Sequence, residues 1–443
     1  MKYRPPWDEP YIIGIAGFSG SGKTSVSQQI IGRINQPWTV LLSFDNFYNP
    51  LTPEESAQAF ANNFDFDTPH SYDMEYMIET VRDLKRGKRV QIPVYSFTTH
   101  NRTDRVISLY GTNVIIIEGI YALYDPRLLE MMDLKVFVDT DLDICLARRL
   151  TRDIMTRGRD LPGSLQQWER FVKPNALKFV APTMANADLV IPRGLDNTIA
   201  IDLMIKHINT QLAAKSLKHL DQLRRLGMNI ALPEANLRVL PQTNQVVGIN
   251  SILLAEDTCR DDFIFYFNRM SRLLIEEACQ TFFADSTTKE IVTTPDGYQF
   301  TGVKDTHELM IVSVIPSGDC FDTSIRKAFR GTPVGKMLIQ SDSTTGEPQL
   351  HYQSIPKQSA KPVKVMLVDA QIISGAAAIM AIQILVDHKI KPEDIVLVTY
   401  LCTEMGLRRI FHAFPEVKVV VGQLSKAGSL AQERFIDKIY FGS

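Results

Sequence analysis

Cysteine is sparse in this 443-residue chain: Cys145, Cys259, Cys279, Cys320 and Cys402 are scattered, odd in number and never in a C-x-x-C pair. Such a set argues against a disulfide framework and a zinc site and points to a reducing compartment. An excess of either charge is also lacking. Forty-eight basic residues meet 50 acidic ones, for a net charge of −2, so composition gives no nucleic-acid footprint and no membrane-surface stripe. Long hydrophobic runs are missing too. Residues 1–10 are polar and proline-rich, and the apolar run after them spans only Tyr11–Ala16. That suits neither a secretory leader nor a membrane span, and the expectation is a cytosolic protein. The chain carries no internal repeat and no low-complexity segment.

What is present is a globular composition, 45% apolar and 22% charged. The length exceeds one ordinary core, so two or three domains are expected. Short apolar runs ending in Gly, Asp or Ser, each followed by helical periodicity, are the pattern of parallel α/β architecture. In the first half the expected strands are Tyr11–Ile15, Thr39–Ser43, Val114–Ile117, Lys135–Val138 and Asp188–Ile191. A helical stretch follows, Ile199–Leu226, and then Gly227–Pro241, whose Pro and Asn content reads as a linker. The second half opens on a helix, Arg260–Glu277, and carries strands at Leu309–Ile315, Lys336–Gln340, Val363–Val368, Ile395–Leu401 and Val417–Val421. The expected division is residues 1–226, a linker 227–241 and a second domain 242–443.

Gly17-Phe-Ser19-Gly20-Ser21-Gly22-Lys23-Thr24 fits the phosphate-binding loop G-x-x-x-x-G-K-S/T, with a strand before it and a helix after it. Backbone N–H groups of such a loop wrap phosphate oxygens, and the helix N-terminus adds partial positive charge. Lys23 is placed to reach the β- and γ-phosphates, Thr24 to offer a hydroxyl to Mg²⁺, and Ser25 to continue the cradle. A carboxylate near the metal is also needed, and Val114–Ile117 delivers Glu118 as the strand emerges. A lone acid there is ordinarily a solvated strand end; after a phosphate-binding loop the metal reading is stronger. Asp45 ends the second strand, at the same carboxyl edge. It is suited to accept the proton of an attacking hydroxyl. Arg148, Arg149, Arg152, Arg157 and Arg159 follow on a helix and its extension, as charge neutralisers for a transferred phosphoryl group or as a solvated basic face.

These segments, together with Ser43-Phe-Asp45-Asn-Phe-Tyr48, Asn63-Phe-Asp-Phe-Asp67, Gln91-Ile-Pro-Val-Tyr95-Ser-Phe97-Thr-Thr-His100, Arg157-Gly-Arg159-Asp160 and Ile191-Pro-Arg-Gly-Leu-Asp196, stand in the order found in uridine–cytidine kinases. Residues 10–213 resemble that family. The resemblance implies ATP, or GTP, and Mg²⁺, with uridine and cytidine phosphorylated at the 5′-hydroxyl. It implies Asp45 as base, Asp67 and Arg149 at the 2′- and 3′-hydroxyls, and Tyr95 and His100 at the pyrimidine edge. Phe97 is implied against the ring, Arg159 and Gln167 as closing groups, and Asp196 near the ATP base. Homodimers or homotetramers and feedback by UTP or CTP are likewise implied.

The second half resembles uracil phosphoribosyltransferase through Leu240-Pro-Gln-Thr-Asn244, Asp262-Phe-Ile-Phe-Tyr266, Thr293-Thr-Pro-Asp-Gly-Tyr298, Gly335–Gln340, Val368-Asp369 and Tyr440–Ser443. The implied fold is a phosphate-binding-loop NTPase domain followed by a type I phosphoribosyltransferase-like α/β domain. The second site departs from its family. Pro316 and Ser341 stand where the family places phosphate-binding arginines. The phosphoribosyl-pyrophosphate loop reads Asp369-Ala-Gln-Ile-Ile-Ser374-Gly375-Ala376-Ala377. The glycine-rich uracil segment is replaced around Glu433-Arg-Phe435-Ile436-Asp437. An active kinase with a non-catalytic second domain is the leading expectation. A bifunctional enzyme and a non-catalytic nucleotide-binding scaffold are the alternatives.

Overall fold

The computed structural model describes residues 3–34, 36, 39–110, 112–227, 231–283, 287–305, 307–341, 347–356, 362–425 and 434–442. Two compact units divide the chain: Pro6–Lys215, and Met1–Pro5 with Ser216–Ser443.

The first unit is built on β1 (Tyr11–Gly17), β2 (Thr39–Ser43), β5 (Val114–Glu118), β6 (Leu134–Asp139) and β7 (Leu189–Pro192), all parallel in the order β2-β5-β1-β6-β7. Both faces of this sheet are covered. Ile12, Ala16, Ile115 and Ile117 enter one apolar core, while Ile13, Ile15, Val114 and Ile116 enter the other. That is why the strands read as continuous apolar runs without alternation. Strand β1 lies between β5 and β6, where successive connections diverge to opposite sides. The crevice beyond its carboxyl end is the ligand position of such sheets.

Helix α1 (Lys23–Ile34) follows the loop after β1, and α2 (Leu142–Arg157) follows β6. A short helix α3 (Leu161–Gln167) comes next, capped by the Asp160 carboxylate on the Gly163 N–H at 2.7 Å. Between β2 and β5 an antiparallel hairpin, β3 (Val90–Ser96) and β4 (Asn101–Leu109), stands outside the sheet. Neither strand is among those expected from the sequence. From Asp104 to Ser108 the side chains of β4 are all exposed, so no apolar alternation marks it.

Helix α4 (Thr198–Arg225) matches the expected helical stretch. The compact units divide within it, at Lys215/Ser216, and not at the expected 226/227. Its last turns belong to the second unit, where His219 is buried against the Tyr3 hydroxyl (3.2 Å) and the Glu347 carboxylate (2.6 Å). The stretch expected to be a linker contains a strand, β8 (Leu237–Val239), paired with the last strand of the second sheet. Residues 228–230 of that stretch, and Glu433 and Ser443, lie outside the described residues.

The second unit continues with α5 (Arg260–Phe283), the two-stranded ribbon β9 (Thr287–Thr293) and β10 (Gln299–Asp305), and a larger mixed sheet. That sheet runs β13-β12-β11-β14-β16-β17-β8, from β11 (Glu308–Ile315), β12 (Val334–Ser341), β13 (Pro348–Ser354), β14 (Val363–Val368), β16 (Ile395–Thr403) and β17 (Lys418–Ser425). Only the β12–β13 pair is antiparallel, and β15 (Gln371–Ile372) adds to β16. Phe263, Phe267, Met270 and Leu274 of α5 are fully buried in the core against Val368, Val398 and Val420.

Candidate functional site

The loop between Gly17 and Lys23 is held by tight backbone approach. Gly20 adopts φ +88°, and a Cβ there would strike the Cys145 carbonyl oxygen, so glycine is required. The Ser21 carbonyl, inside the loop, accepts the Thr140 hydroxyl at 3.1 Å. Lys23 Nζ donates to the Phe18 carbonyl at 3.2 Å, which turns the ammonium back over the loop. Desolvation lowers the Lys23 pKa, opposed by the charges of Glu118 and Asp45.

Glu118 ends β5 in register with Ser43, which ends β2. One Glu118 oxygen accepts the Thr24 hydroxyl and the other the Ser43 hydroxyl, each at 3.0 Å. Glu118 is 5% exposed. Ser43 also caps the short turn Phe44–Phe47, accepting the Asp45 N–H at 3.4 Å, and so fixes where Asp45 leaves the strand. Ser43 is a site residue that the sequence did not single out; its place beside Asp45 at a strand end was the available signal.

One open cavity takes in the loop and what lies beyond it. Ser19, Lys23 and Thr24 line one part, with Asp45 and Glu118 beside them. Asp67, Tyr95, Phe97, His100, Arg149, Arg159 and Gln167 line the rest. Thus every residue expected at the acceptor side reaches the same cavity as the loop. Gly17, Gly20, Ser21, Gly22 and Ser25, expected in the phosphate cradle, are not in its wall. Asp196 is outside it as well: its exposed carboxylate pairs with Arg148 at 3.6 Å.

Five cations, Lys23 with Arg149, Arg152, Arg157 and Arg159, face three carboxylates in the cavity wall. Arg149 bridges the two ends, donating to Ser19 Oγ at 2.9 Å and to Asp67 at 3.3 Å. Arg159 donates to Gln167 at 2.9 Å, and Gln167 in turn to Asn62 at 3.1 Å. The Arg157 guanidinium lies 3.6 Å over the Phe97 ring, so one face of that ring is already covered. Burial, then repulsion from Arg152, brings the Arg157 pKa down to about 10. Beneath the arginines sits Asp153, 1% exposed. Burial works against its ionisation, but Arg152, Arg149, Arg157 and Arg159 outweigh it and hold the carboxyl below its usual range.

The far end is aromatic. Tyr48 stacks on Tyr72 at 4.3 Å and lies 4.9 Å from Tyr95, and the Tyr72 hydroxyl donates to that of Tyr48 at 2.6 Å. His100, at φ +51° in the β3–β4 turn, stacks on Phe66 at 5.2 Å. Burial first, then Arg159 and Arg157, lower its pKa. Tyr95 is pushed up to about 12 by burial and by Asp45. Both groups are therefore neutral near pH 7, each able to donate and to accept. Tyr48, Phe66 and Tyr72 were not picked out from the sequence, where each stands beside polar neighbours (Asn49; Asp65 and Asp67; Ser71 and Asp73) and nothing marks it as part of a site.

In the second unit Asp369 is 1% exposed and its carboxylate accepts Arg434 at 2.9 Å. Burial raises its pKa, with Arg434 and Ser317 acting against that. The Phe435 N–H is given to the Gln371 side-chain oxygen at 3.0 Å. Pro316 and Ser341 are exposed and uncharged.

A parallel sheet with a phosphate-binding loop at its reversal point, opening into a cavity with a strand-end carboxylate, defines a kinase that takes phosphate from a nucleoside triphosphate. The phosphoribulokinase / uridine kinase family model matches residues 12–200, and the uracil phosphoribosyltransferase model matches residues 239–436. A uridine kinase of Saccharomyces cerevisiae is 50% identical across 100% of this chain and 90% of its own. Uridine-cytidine kinase-like 1 of Mus musculus is 42% identical over 96% of this chain and 78% of its own. A Schizosaccharomyces pombe uridine kinase is 38% identical over 99% and 97%. The chain belongs to the uridine kinase family, with a uracil phosphoribosyltransferase-like domain following the kinase domain. No described helix is long and apolar enough to cross a membrane.

Proposed function

We propose that the chain transfers the γ-phosphate of ATP, or GTP, to the 5′-hydroxyl of uridine and cytidine, giving UMP and CMP. The observation that carries this reading is the single cavity shared by the loop residues Ser19, Lys23 and Thr24 and by Asp45, Asp67, Tyr95 and His100. Asp45 takes the proton of the 5′-hydroxyl as its oxygen bonds to the γ-phosphorus, and the bond to the bridging oxygen breaks to release the nucleoside diphosphate. Lys23 and the arginines meet the charge spreading over the phosphoryl oxygens. Asp67 and Arg149 take the 2′- and 3′-hydroxyls, and Arg159 and Gln167 close over the nucleoside. Neutral Tyr95 and His100 suit both pyrimidines, since each can present a donor or an acceptor to the edge where uracil and cytosine differ. Asp196, beside Arg148, is assigned to the donor's base.

The residues also suit Mg²⁺. No group of three or more His, Cys, Asp or Glu side chains that could hold a metal exists among the described residues. Thr24 and Glu118 would hold the ion together with phosphate oxygens and water, and its chemistry there is charge neutralisation. The second unit is proposed to be non-catalytic, because Asp369 is bonded to Arg434 and both expected phosphate arginines are replaced. The test is purified protein with uridine, cytidine, adenosine and thymidine, each with ATP and Mg²⁺. Monophosphate from the first two alone is the expected result; none from any overturns the reading.

A further inference from the structure

Asp153 lies on α2 under the cavity, and its two oxygens divide four arginines between them. Oδ1 meets Arg152 at 2.8 Å and Arg157 at 3.4 Å; Oδ2 meets Arg159 at 3.3 Å and Arg149 at 3.5 Å. Local structure dictates this convergence. Arg149 and Arg157 stand one turn before and one turn after Asp153 on the same helix face. Gly158, at φ +66°, ends the helix and folds the chain back, so that the Gly158 and Arg159 N–H groups both reach the Asp153 carbonyl. Three of the four arginines have a second engagement in the cavity. Arg149 reaches Ser19 and Asp67, Arg159 reaches Gln167, and Arg157 covers Phe97. Four guanidinium groups this close repel one another, and Asp153 is the anion that all four share.

Resting on the kinase reading of the cavity, we infer that Asp153 is a positioning residue: it gathers Arg149, Arg152, Arg157 and Arg159 into the array that meets the phosphoryl group and the nucleoside before either binds. The carboxylate touches neither substrate. It supplies, before substrate binds, part of the negative charge that a triphosphate brings, so the arginines need little rearrangement during the reaction. The same carboxylate must weaken the site's hold on anions, because it cancels one of the positive charges they meet. Orientation and anion affinity are therefore opposed at this position, whereas a residue that only stabilised the helix would move both in the same direction.

The experiment compares the parent with Asp153→Asn and Asp153→Glu in the full chain. It measures kcat and KM for uridine, calorimetric binding of inorganic tripolyphosphate, and the melting temperature. Asp153→Asn is expected to lower kcat by about 10–100-fold, the scale of misplaced reacting groups, and by more than it raises KM. It should tighten tripolyphosphate binding by about fivefold, the Coulomb gain of one unit charge at close range in water-like screening. Asp153→Glu keeps the charge and displaces it by one methylene, so tripolyphosphate affinity should match the parent while kcat still falls. Loss of kcat and of tripolyphosphate affinity together in Asp153→Asn overturns the inference. Should that variant not fold, an unchanged kcat in Asp153→Glu does the same. A parent that phosphorylates no nucleoside overturns the kinase reading instead, and the tripolyphosphate titration still judges Asp153.

Discussion

Thr24 donates its hydroxyl hydrogen to Glu118 at 3.0 Å, across 94 residues of chain, from the first turn of α1 to the last position of β5. Ser43 holds the other oxygen of the same carboxylate. Replacing Glu118 by Gln keeps the shape but gives the two hydroxyls an amide donor in place of one acceptor. Because groups that orient a metal site typically matter by about 10–100-fold, Glu118→Gln should raise the Mg²⁺ concentration needed for half-maximal rate by that order. A Mg²⁺ titration checks it, and an unchanged midpoint would remove Glu118 from the metal's surroundings.

Asp45→Asn should leave ATP binding near the parent value and lower kcat by about 10²–10⁴, the range for losing a positioned base. Steady-state kinetics at saturating uridine give the answer. A kcat within about threefold of the parent contradicts a role that spans such a range.

Asp67 sits between Arg149 and the open cavity. Asp67→Ala should weaken ribonucleoside use by about 1.5–3 kcal/mol, the value of a hydrogen bond to a charged group, and should weaken deoxyuridine, which keeps only the 3′-hydroxyl, by less. The ratio of kcat/KM for uridine over deoxyuridine is the readout. If that ratio holds, Asp67 serves the fold and not the sugar.

His100 carries a pH prediction. Its pKa is held below 6.5, by burial first and then by Arg159 and Arg157, so the imidazole is neutral at pH 7. As pH falls through that depressed value, a third cation appears beside two guanidinium groups and the ring loses its acceptor. The rate kcat/KM for cytidine should therefore show an acid limb below 6.5, read between about pH 5 and 8. His100→Gln should erase that limb, and its persistence would assign it to another group.

Most of the kinase sheet was readable in the sequence for a physical reason. Strands buried on both faces leave unbroken apolar runs, as in Val114–Glu118, and loops at their carboxyl ends carry the chemistry. The β9–β10 ribbon was not readable, because Ile291, Val292, Phe300 and Val303 are exposed and no buried face imposes a period. Strand β8 is three residues long and was hidden in a Pro- and Asn-rich stretch. In the site, Lys23, Asp45 and Glu118 followed from motif and strand-end position. Asp153 did not, since an acid among arginines on a helix reads as a solvated ion-pair surface until tertiary burial removes the solvent.

The last prediction concerns the second unit, which should not form UMP from uracil and phosphoribosyl pyrophosphate. Release of pyrophosphate needs cations to take up developing charge, and Pro316 and Ser341 bring none. Each missing arginine removes about 1.5–3 kcal/mol, and two acting independently would weaken binding by about two to four orders of magnitude. The remaining acid of the loop, Asp369, is buried and held by Arg434 at 2.9 Å, so using it would first require breaking that ion pair. On the acceptor side the Phe435 N–H is already bonded to Gln371, and the side chains of Phe435 and Ile436 occupy space that glycines would leave open to a base. The fold itself persists, because the parallel core of β11, β14, β16 and β17 and the packing of α5 are intact. The measurement is radiolabelled uracil with phosphoribosyl pyrophosphate, on a Lys23→Ala protein so that no uridine route contributes. UMP formed from uracil at a rate comparable to the parent kinase would sink the prediction and make the chain bifunctional.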